Sequence, residues 1–277
     1  MNDWNPYTPV KLLWMRRDLL WQFTKRNIQT GFRGSYLGVF WVVLGPLMML
    51  GLYSFVFGVV FGGGFEAIQD DGQRVRLEGV DYALGIFLGL SVLNLVSGAL
   101  ASCTTLIVSN PNFVKKVVFP LEILPVAQVG NLLFNFLISL LLCLVGMALL
   151  GPGLSLMFLW IPLILFPVIL IIAGIGWLIS ALGVFFRDLA QLTQILGMIL
   201  LYASGVFYSV SMVPASFWQF LRFNPILQVI DQLRRVALWQ IEPSLVKIGI
   251  LWLVSLLIFQ FGYWVFSRLR PDFADVL

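Results

Sequence analysis

Histidine is absent from this 277-residue chain, and charge is scarce: Asp, Glu, Lys and Arg together make up 11% of it. Without imidazole there is no histidine acid–base chemistry, no histidine metal site and no histidine pH sensor. Cysteine occurs twice, as Cys103 and Cys143, each inside an apolar stretch. A thiol in such a setting acts as a small hydrophobe, so neither a disulfide nor a metal role is expected. No lysine follows a glycine, which removes the Gly-x-x-x-x-Gly-Lys-Ser/Thr loop that cradles phosphates. The chain is therefore not expected to bind ATP in that manner. Residues 1–35 hold no clean apolar core before a cleavage site, so the first span is expected to insert uncleaved.

What fills the chain is hydrophobic sequence, 60% of all residues. Six runs stand out: Leu37–Phe61, Tyr82–Val108, Ile123–Leu150, Leu156–Phe186, Leu189–Ser209 and Ile248–Phe266. A bilayer core needs about 20 apolar residues of helix, and a backbone in lipid must satisfy its own hydrogen bonds. The expected fold is an all-α integral membrane protein with six transmembrane helices. One membrane domain, 1–277, accounts for everything. It divides into a cytoplasmic segment 1–35, five spans in 36–209, an extracytoplasmic segment 210–247, a sixth span 248–267 and a cytoplasmic tail 268–277.

The net charge of +4 is ordinary for a membrane protein and gives no reason to invoke nucleic acid. Lys11, Arg16, Arg17, Lys25, Arg26 and Arg33 precede the first run, against Asp3 and Asp18. The next gap is acidic, with Glu66, Asp70, Asp71, Glu78 and Asp81. Basic residues gather on the cytoplasmic side, so both termini are expected inside. Arg222, Arg234, Arg235 and Lys247 break the rule by lying in 210–247. They are expected to have a task there, or local partners such as Asp231 and Glu242.

Lys11–Thr30 reads as an interfacial helix, with Leu12, Met15, Leu19 and Phe23 on one stripe and Trp14 and Trp21 opposite. The alternative is a plain topogenic tail. In 210–247, Ala215–Phe223 and a segment opened by Asn224-Pro225 read as two short helices, the second with a cap residue before an N1 proline. Both are too short to cross, and a re-entrant hairpin or an amphipathic cap on the headgroups remain open readings. Gly58-x-x-x-Gly62 and Gly85-x-x-x-Gly89 permit close helix packing. Ser109–Glu122, bounded by Pro111 and Pro120, has the make-up of a cytoplasmic docking knob around Lys115 and Lys116; a plain inside-positive marker is the alternative. The spans carry amides rather than charges, Asn94, Gln128, Asn131, Asn135 and Gln194, which disfavours an ion-coupled carrier. No nucleophile–base pair points to an enzyme.

Five segments together resemble the ABC-type polysaccharide and polyol-phosphate export permeases. They are Phe32-Arg33-Gly34-Ser35-Tyr36-Leu37-Gly38-Val39-Phe40-Trp41 with Gly45-Pro46-Leu47; Val114–Pro125; Phe185-Phe186-Arg187-Asp188-Leu189; Phe223-Asn224-Pro225; and Phe273-Ala274-Asp275-Val276-Leu277. Gly31-Phe32 departs from the basic residue and tyrosine frequent in that family. The resemblance implies a homodimer in the bacterial inner membrane, with two copies of a separate ATPase that holds ATP and Mg, and a lipid-linked glycan as cargo. It assigns ATPase coupling to Asn112, Lys115, Lys116, Phe119, Pro120, Glu122, Arg187 and Asp188. It assigns an inner gate, with a carrier-phosphate contact, to Arg26, Arg33, Tyr36 and Trp41. A channel and outer mouth fall to Tyr53, Tyr202, Phe207, Tyr208, Trp218 and Asn224, with two re-entrant helices before the last span. Export of a small lipid, drug or peptide by the same architecture is the competing reading.

Overall fold

A computed structural model describes residues 7–31, 36–38, 40–60, 62–68, 74–115, 119–153 and 155–277. Arg33, Lys116, Asp70 and Asp71 lie outside the described residues.

Two short helices open the chain, α1 (Tyr7–Met15) and α2 (Arg17–Gly31). The single interfacial helix expected over Lys11–Thr30 is thus broken at Arg16. Trp14 and Trp21 are exposed, as their position opposite the stripe predicts, but so is Met15 of the stripe itself. The helix α3 (Phe40–Tyr53) carries Pro46 inside it and runs on as a π-helical turn, Ser54–Val60. Next come α4 (Gly79–Thr104), α5 (Pro111–Lys115), α6 (Ile123–Leu150), α7 (Ile161–Phe185, entered through the 3-10 turn Leu156–Trp160) and α8 (Leu189–Ala203). They are followed by α9 (Ala215–Leu221), α10 (Pro225–Ala237), α11 (Leu245–Leu269) and α12 (Phe273–Val276).

The all-helical expectation needs one correction. Between α3 and α4 the chain forms an antiparallel hairpin, β1 (Gly64–Ile68) and β2 (Arg74–Glu78), with Gly64 opposite Glu78 and Ile68 opposite Arg74. By charge alone this segment reads as an acidic gap with no regular structure. Phe65 and Leu77 alternate with charged residues at the period of a half-buried strand, and Phe65 is fully buried.

Five helical segments among the described residues are long and apolar enough to cross a bilayer: Phe40–Phe57, Gly79–Thr104, Ile123–Leu150, Leu156–Phe185 and Leu245–Val276. The expected fifth run, Leu189–Ser209, yields a helix only to Ala203. At about 22 Å, α8 is shorter than the hydrocarbon core. Gly205, with φ of +65°, adopts the left-handed conformation that ends helices, and the chain turns there.

In lipid, helices associate by close packing rather than by hydrophobic drive. The tightest pair here is α7 against α11. A Cβ on Gly174 would lie 2.5 Å from the Ile258 carbonyl oxygen, and one on Gly262 would strike the Gly174 backbone. The centre of the bundle is α4, nearly all buried, whereas α3 buries only Val42 and leaves the rest exposed or half-buried. The buried side chains form two groups. The larger joins α4, α6, α7 and α10; the smaller gathers Trp177, Phe266 and Phe273 with Ile107, Leu121 and Leu124, from the α4–α6 connection and the start of α6.

The second short helix of 210–247 forms as its cap predicts. Asn224 Oδ1 accepts from the backbone N–H of Ile226 (3.0 Å) and Leu227 (3.4 Å). Ile226, Ile230, Leu233 and Ala237 are all buried, and α10 packs on α4 and α7. The Gly85/Gly89 pair serves α10 and the hairpin rather than another span. A Cβ on Gly85 would meet the Phe65 ring at 2.7 Å and Leu238 at 2.8 Å; one on Gly89 would meet Arg234 at 3.0 Å.

Candidate functional site

At one end of the bundle three remote pieces of sequence meet. Phe23 of α2, Phe113 of α5 and Phe119 form an aromatic triad, with ring centroids 5.5, 5.0 and 4.7 Å apart. The Arg26 guanidinium lies 4.6 Å from the Phe23 ring and 5.9 Å from Phe113. Offset or edgewise ring pairs add about 0.5–1.5 kcal/mol each beyond their area. Thr24, the residue after Phe23, is buried against Gly130 of α6, whose missing side chain admits it. Asn27 Nδ2 donates to Gln128 Oε1 at 3.3 Å. Thus α2 is seated on α6 and on the 109–122 segment together.

The C-terminal segment closes the other side. Phe273 is fully buried between Phe185 (6.1 Å) and Phe266 (5.6 Å). Arg270 Nη1 pairs with Glu122 Oε1, and Trp177 Nε1 donates to the Glu122 backbone carbonyl at 2.8 Å. Glu122 itself is 2% exposed. It was expected to face a partner; instead it is an inner fastening of the tail to the start of α6. Removing Arg270 strands a buried carboxylate, whereas Glu122→Gln keeps a hydrogen-bonding group beside a half-exposed arginine. Arg270→Ala is therefore expected to lower stability by about 1–3 kcal/mol, more than Glu122→Gln, in thermal unfolding of the purified protein. Equal melting of the two variants would remove this role.

What remains on the surface of this end is a coherent set. Asn112 and Lys115 of α5 are exposed, as are Arg187 and Asp188 in the α7–α8 turn, while Phe119 and Pro120 are half-buried. Arg26 is exposed above its two rings, and Tyr36 and Trp41 at the foot of α3 are exposed too. The short helix α5 thus offers an uncovered polar edge on an aromatic base.

At the far end the organising residue is Arg234, 2% exposed. Its Nη1 donates to the carbonyls of Gly205 (2.6 Å) and Tyr208 (3.2 Å), and its Nη2 to Val206 (2.5 Å) and Gly85 (3.1 Å). Nε also reaches Gly85 at 3.2 Å, and the guanidinium sits 3.9 Å over the Phe65 ring. One side chain thus ties α10 to α4, to the turn after α8 and to the hairpin. Charge alone groups it with Arg222, Arg235 and Lys247 and does not reveal its burial. The signal was present: Arg234 follows Ile230 by four residues and precedes Ala237 by three, so it lies on the apolar stripe. The partners foreseen for its neighbours are real but rearranged. Asp231 pairs with Lys247 at 3.2 Å, and Arg235 Nη2 donates to the Glu242 backbone carbonyl at 3.4 Å.

The aromatic residues assigned to a channel and mouth separate into two sets. Tyr53, Phe57, Phe207 and Tyr82 form a connected row, with Phe57 stacked on Phe207 at 5.4 Å. Tyr202 is exposed, and its backbone carbonyl accepts from the Tyr208 hydroxyl at 2.8 Å. Trp218 is half-buried on α9. Asn224, besides capping α10, donates to the Ala203 carbonyl (3.0 Å) and Ser204 Oγ (3.2 Å), so it fastens α10 to the end of α8. Among the described residues no three His, Cys, Asp or Glu side chains are grouped to hold a metal ion.

A sequence profile of the family described as ABC-2 type transporter matches residues 18–238. The chain is 25% identical over 261 residues to the O-antigen export system permease protein RfbA of Klebsiella pneumoniae, covering 94% of this chain and 95% of that one. It is also 25% identical over 273 residues to the O-antigen export system permease protein RfbA of Myxococcus xanthus, covering 96% of this chain and 98% of that one.

Proposed function

From the premise that the chain belongs to the ABC-2 type transporter family, we propose that it is the membrane subunit of an ATP-driven exporter of a lipid-linked polysaccharide. It is a multi-pass membrane protein and a transport subunit rather than a catalyst. In this reading two copies form the conduit in the bacterial inner membrane, with both termini cytoplasmic. Two copies of a separate ATPase dock beneath and supply ATP and Mg. The cargo is a glycan of O-antigen, capsule or teichoic-acid type on a lipid carrier, as the names of its relatives favour.

The observation that carries the reading is the aromatic seating of α5 on α2. A partner pressing on the exposed edge of Asn112 and Lys115 acts on Phe113, and through Phe23 and Phe119 on the interfacial helix and the foot of α6. Arg187 and Asp188 extend the docking edge. Arg26, Arg33, Tyr36 and Trp41 form the inner gate, where the basic residues attract the carrier's phosphate. Tyr53, Tyr202, Phe207, Tyr208 and Trp218 line the route outward.

Deleting the gene is expected to abolish the long surface glycan; intact glycan with altered drug tolerance would favour a small lipid, drug or peptide as cargo. Lys115→Glu combined with Phe113→Ala is expected to weaken ATPase association about tenfold or more, because truncating a central aromatic and reversing a charge strikes a docking hot spot. Co-purification and membrane-stimulated ATP turnover measure this, and normal values for both would remove the docking assignment.

A further inference from the structure

The helix α4 is buried along nearly its whole length, yet Asn94, near its middle, is exposed. Its carboxamide makes no hydrogen bond among the described residues. An amide facing lipid at mid-span is unfavourable, so a polar neighbour is required there. Across from it on α6, Gln128, Asn131, Asn135 and Ser139 succeed one another at intervals of three, four and four residues, which places them on one face. That row rises about 16 Å along the helix. Between the two helices lies an open cleft of about 250 Å³, lined by Ser91, Asn94, Asn135 and Ser139 over a floor of Leu132 and Phe136.

The donors in this cleft are largely turned inward. Ser91 Oγ donates to the Phe87 carbonyl (2.8 Å), Ser139 Oγ to Asn135 (3.2 Å) and Asn135 Nδ2 to Asn131 (3.3 Å). Their oxygens are left as acceptors, while Asn94 offers both a donor and an acceptor. The row contains no cation, so it does not suit a phosphate, which is held by Arg or Lys. Its inner end is joined to the interfacial helix by the Asn27–Gln128 hydrogen bond.

We propose that this uncharged seam between α4 and α6 is a track for hydroxyl groups, binding successive sugars of the polyhydroxylated chain as it passes from the α2 end into the membrane. The proposal rests on the exporter reading above and names a contact surface that reading did not contain.

The test has two arms. In inside-out vesicles holding the permease with its ATPase, Asn94→Cys and Ser139→Cys are labelled with a charged methanethiosulfonate reagent. Leu137→Cys, on the outward-facing side of α6, is the lipid-facing control, and the native Cys103 and Cys143 are buried. Labelling of the seam is expected at least about tenfold faster than of the control, since the charged reagent reacts only where water reaches. Equal rates, or a disulfide joining two copies through Asn94→Cys, would overturn the track. In cells, Asn94→Leu with Asn135→Leu is expected to cut surface glycan about tenfold at unchanged yield of the complex. If gene deletion abolishes the glycan and this double variant does not, the track falls and the exporter reading stands. If deletion leaves the glycan intact, the exporter reading falls.

Discussion

Arg234→Leu is expected to cost about 3–5 kcal/mol and to disorganise the far end of the molecule. The side chain is buried, and its fork is shared among the carbonyls of Gly85, Gly205, Val206 and Tyr208. Leucine fills the space but abandons four acceptors, and unsatisfied buried carbonyls are costly where water is excluded. Arg234→Lys is expected to be nearly as damaging. A single ammonium has three donors and no planar fork, and it cannot span the turn after α8, the α4 backbone and the Phe65 ring together. Thermal unfolding of the purified protein, with protease nicking of the hairpin as a local probe, reads both effects. Native-like melting of the lysine variant would show that charge alone suffices and that the fork geometry is dispensable.

The second large effect is expected at the α7–α11 crossing. A methyl group at Gly262 meets the Gly174 carbonyl carbon and oxygen, which are backbone and have no rotamer to yield. Gly262→Ala is therefore expected to push the helices apart at a cost of about 3 kcal/mol or more, at the upper end of overpacking effects. The same change at Gly249, on the same helix but with nothing within 4 Å, is expected to be neutral or mildly stabilising, since alanine favours the helix. Unfolding of the pair in detergent separates steric damage from propensity. Equal melting of the two variants would mean that the crossing adjusts freely.

Much of this architecture is legible in the residues because membranes impose blunt rules. Apolar length located the long helices, and Asn224-Pro225 fixed the start of α10 to the residue. Local charge marked Lys115 as a surface residue, and it is exposed, as is Asn112, which the family resemblance supplied. Other features escaped because they depend on what lies across space rather than along the chain. The burial of Arg234 needs the space left by Gly89 and the carbonyl of Gly85. Glu122 reads as a surface acid until Arg270, 148 residues further along the sequence, folds onto it. The hairpin was hidden because its acidic character dominated a short alternating pattern. Gly205 ended α8 sooner than hydropathy foretold, since hydropathy registers apolarity and not the sign of φ. The break at Arg16 has no signal in the sequence, which carries neither proline nor glycine there.

The seating of α2, α5 and the C-terminal tail has a mechanical corollary. Rings in mutual contact, a threonine set into a glycine notch and a carboxylate paired with Arg270 fasten both α2 and the C-terminal tail to the base of α6. In the exporter reading proposed above, a thrust delivered at α5 passes through Phe113 to the Phe23 and Phe119 rings, and by way of α2 and its glycine-notched seat reaches the base of α6, which makes that base the point where a partner's motion would enter the membrane.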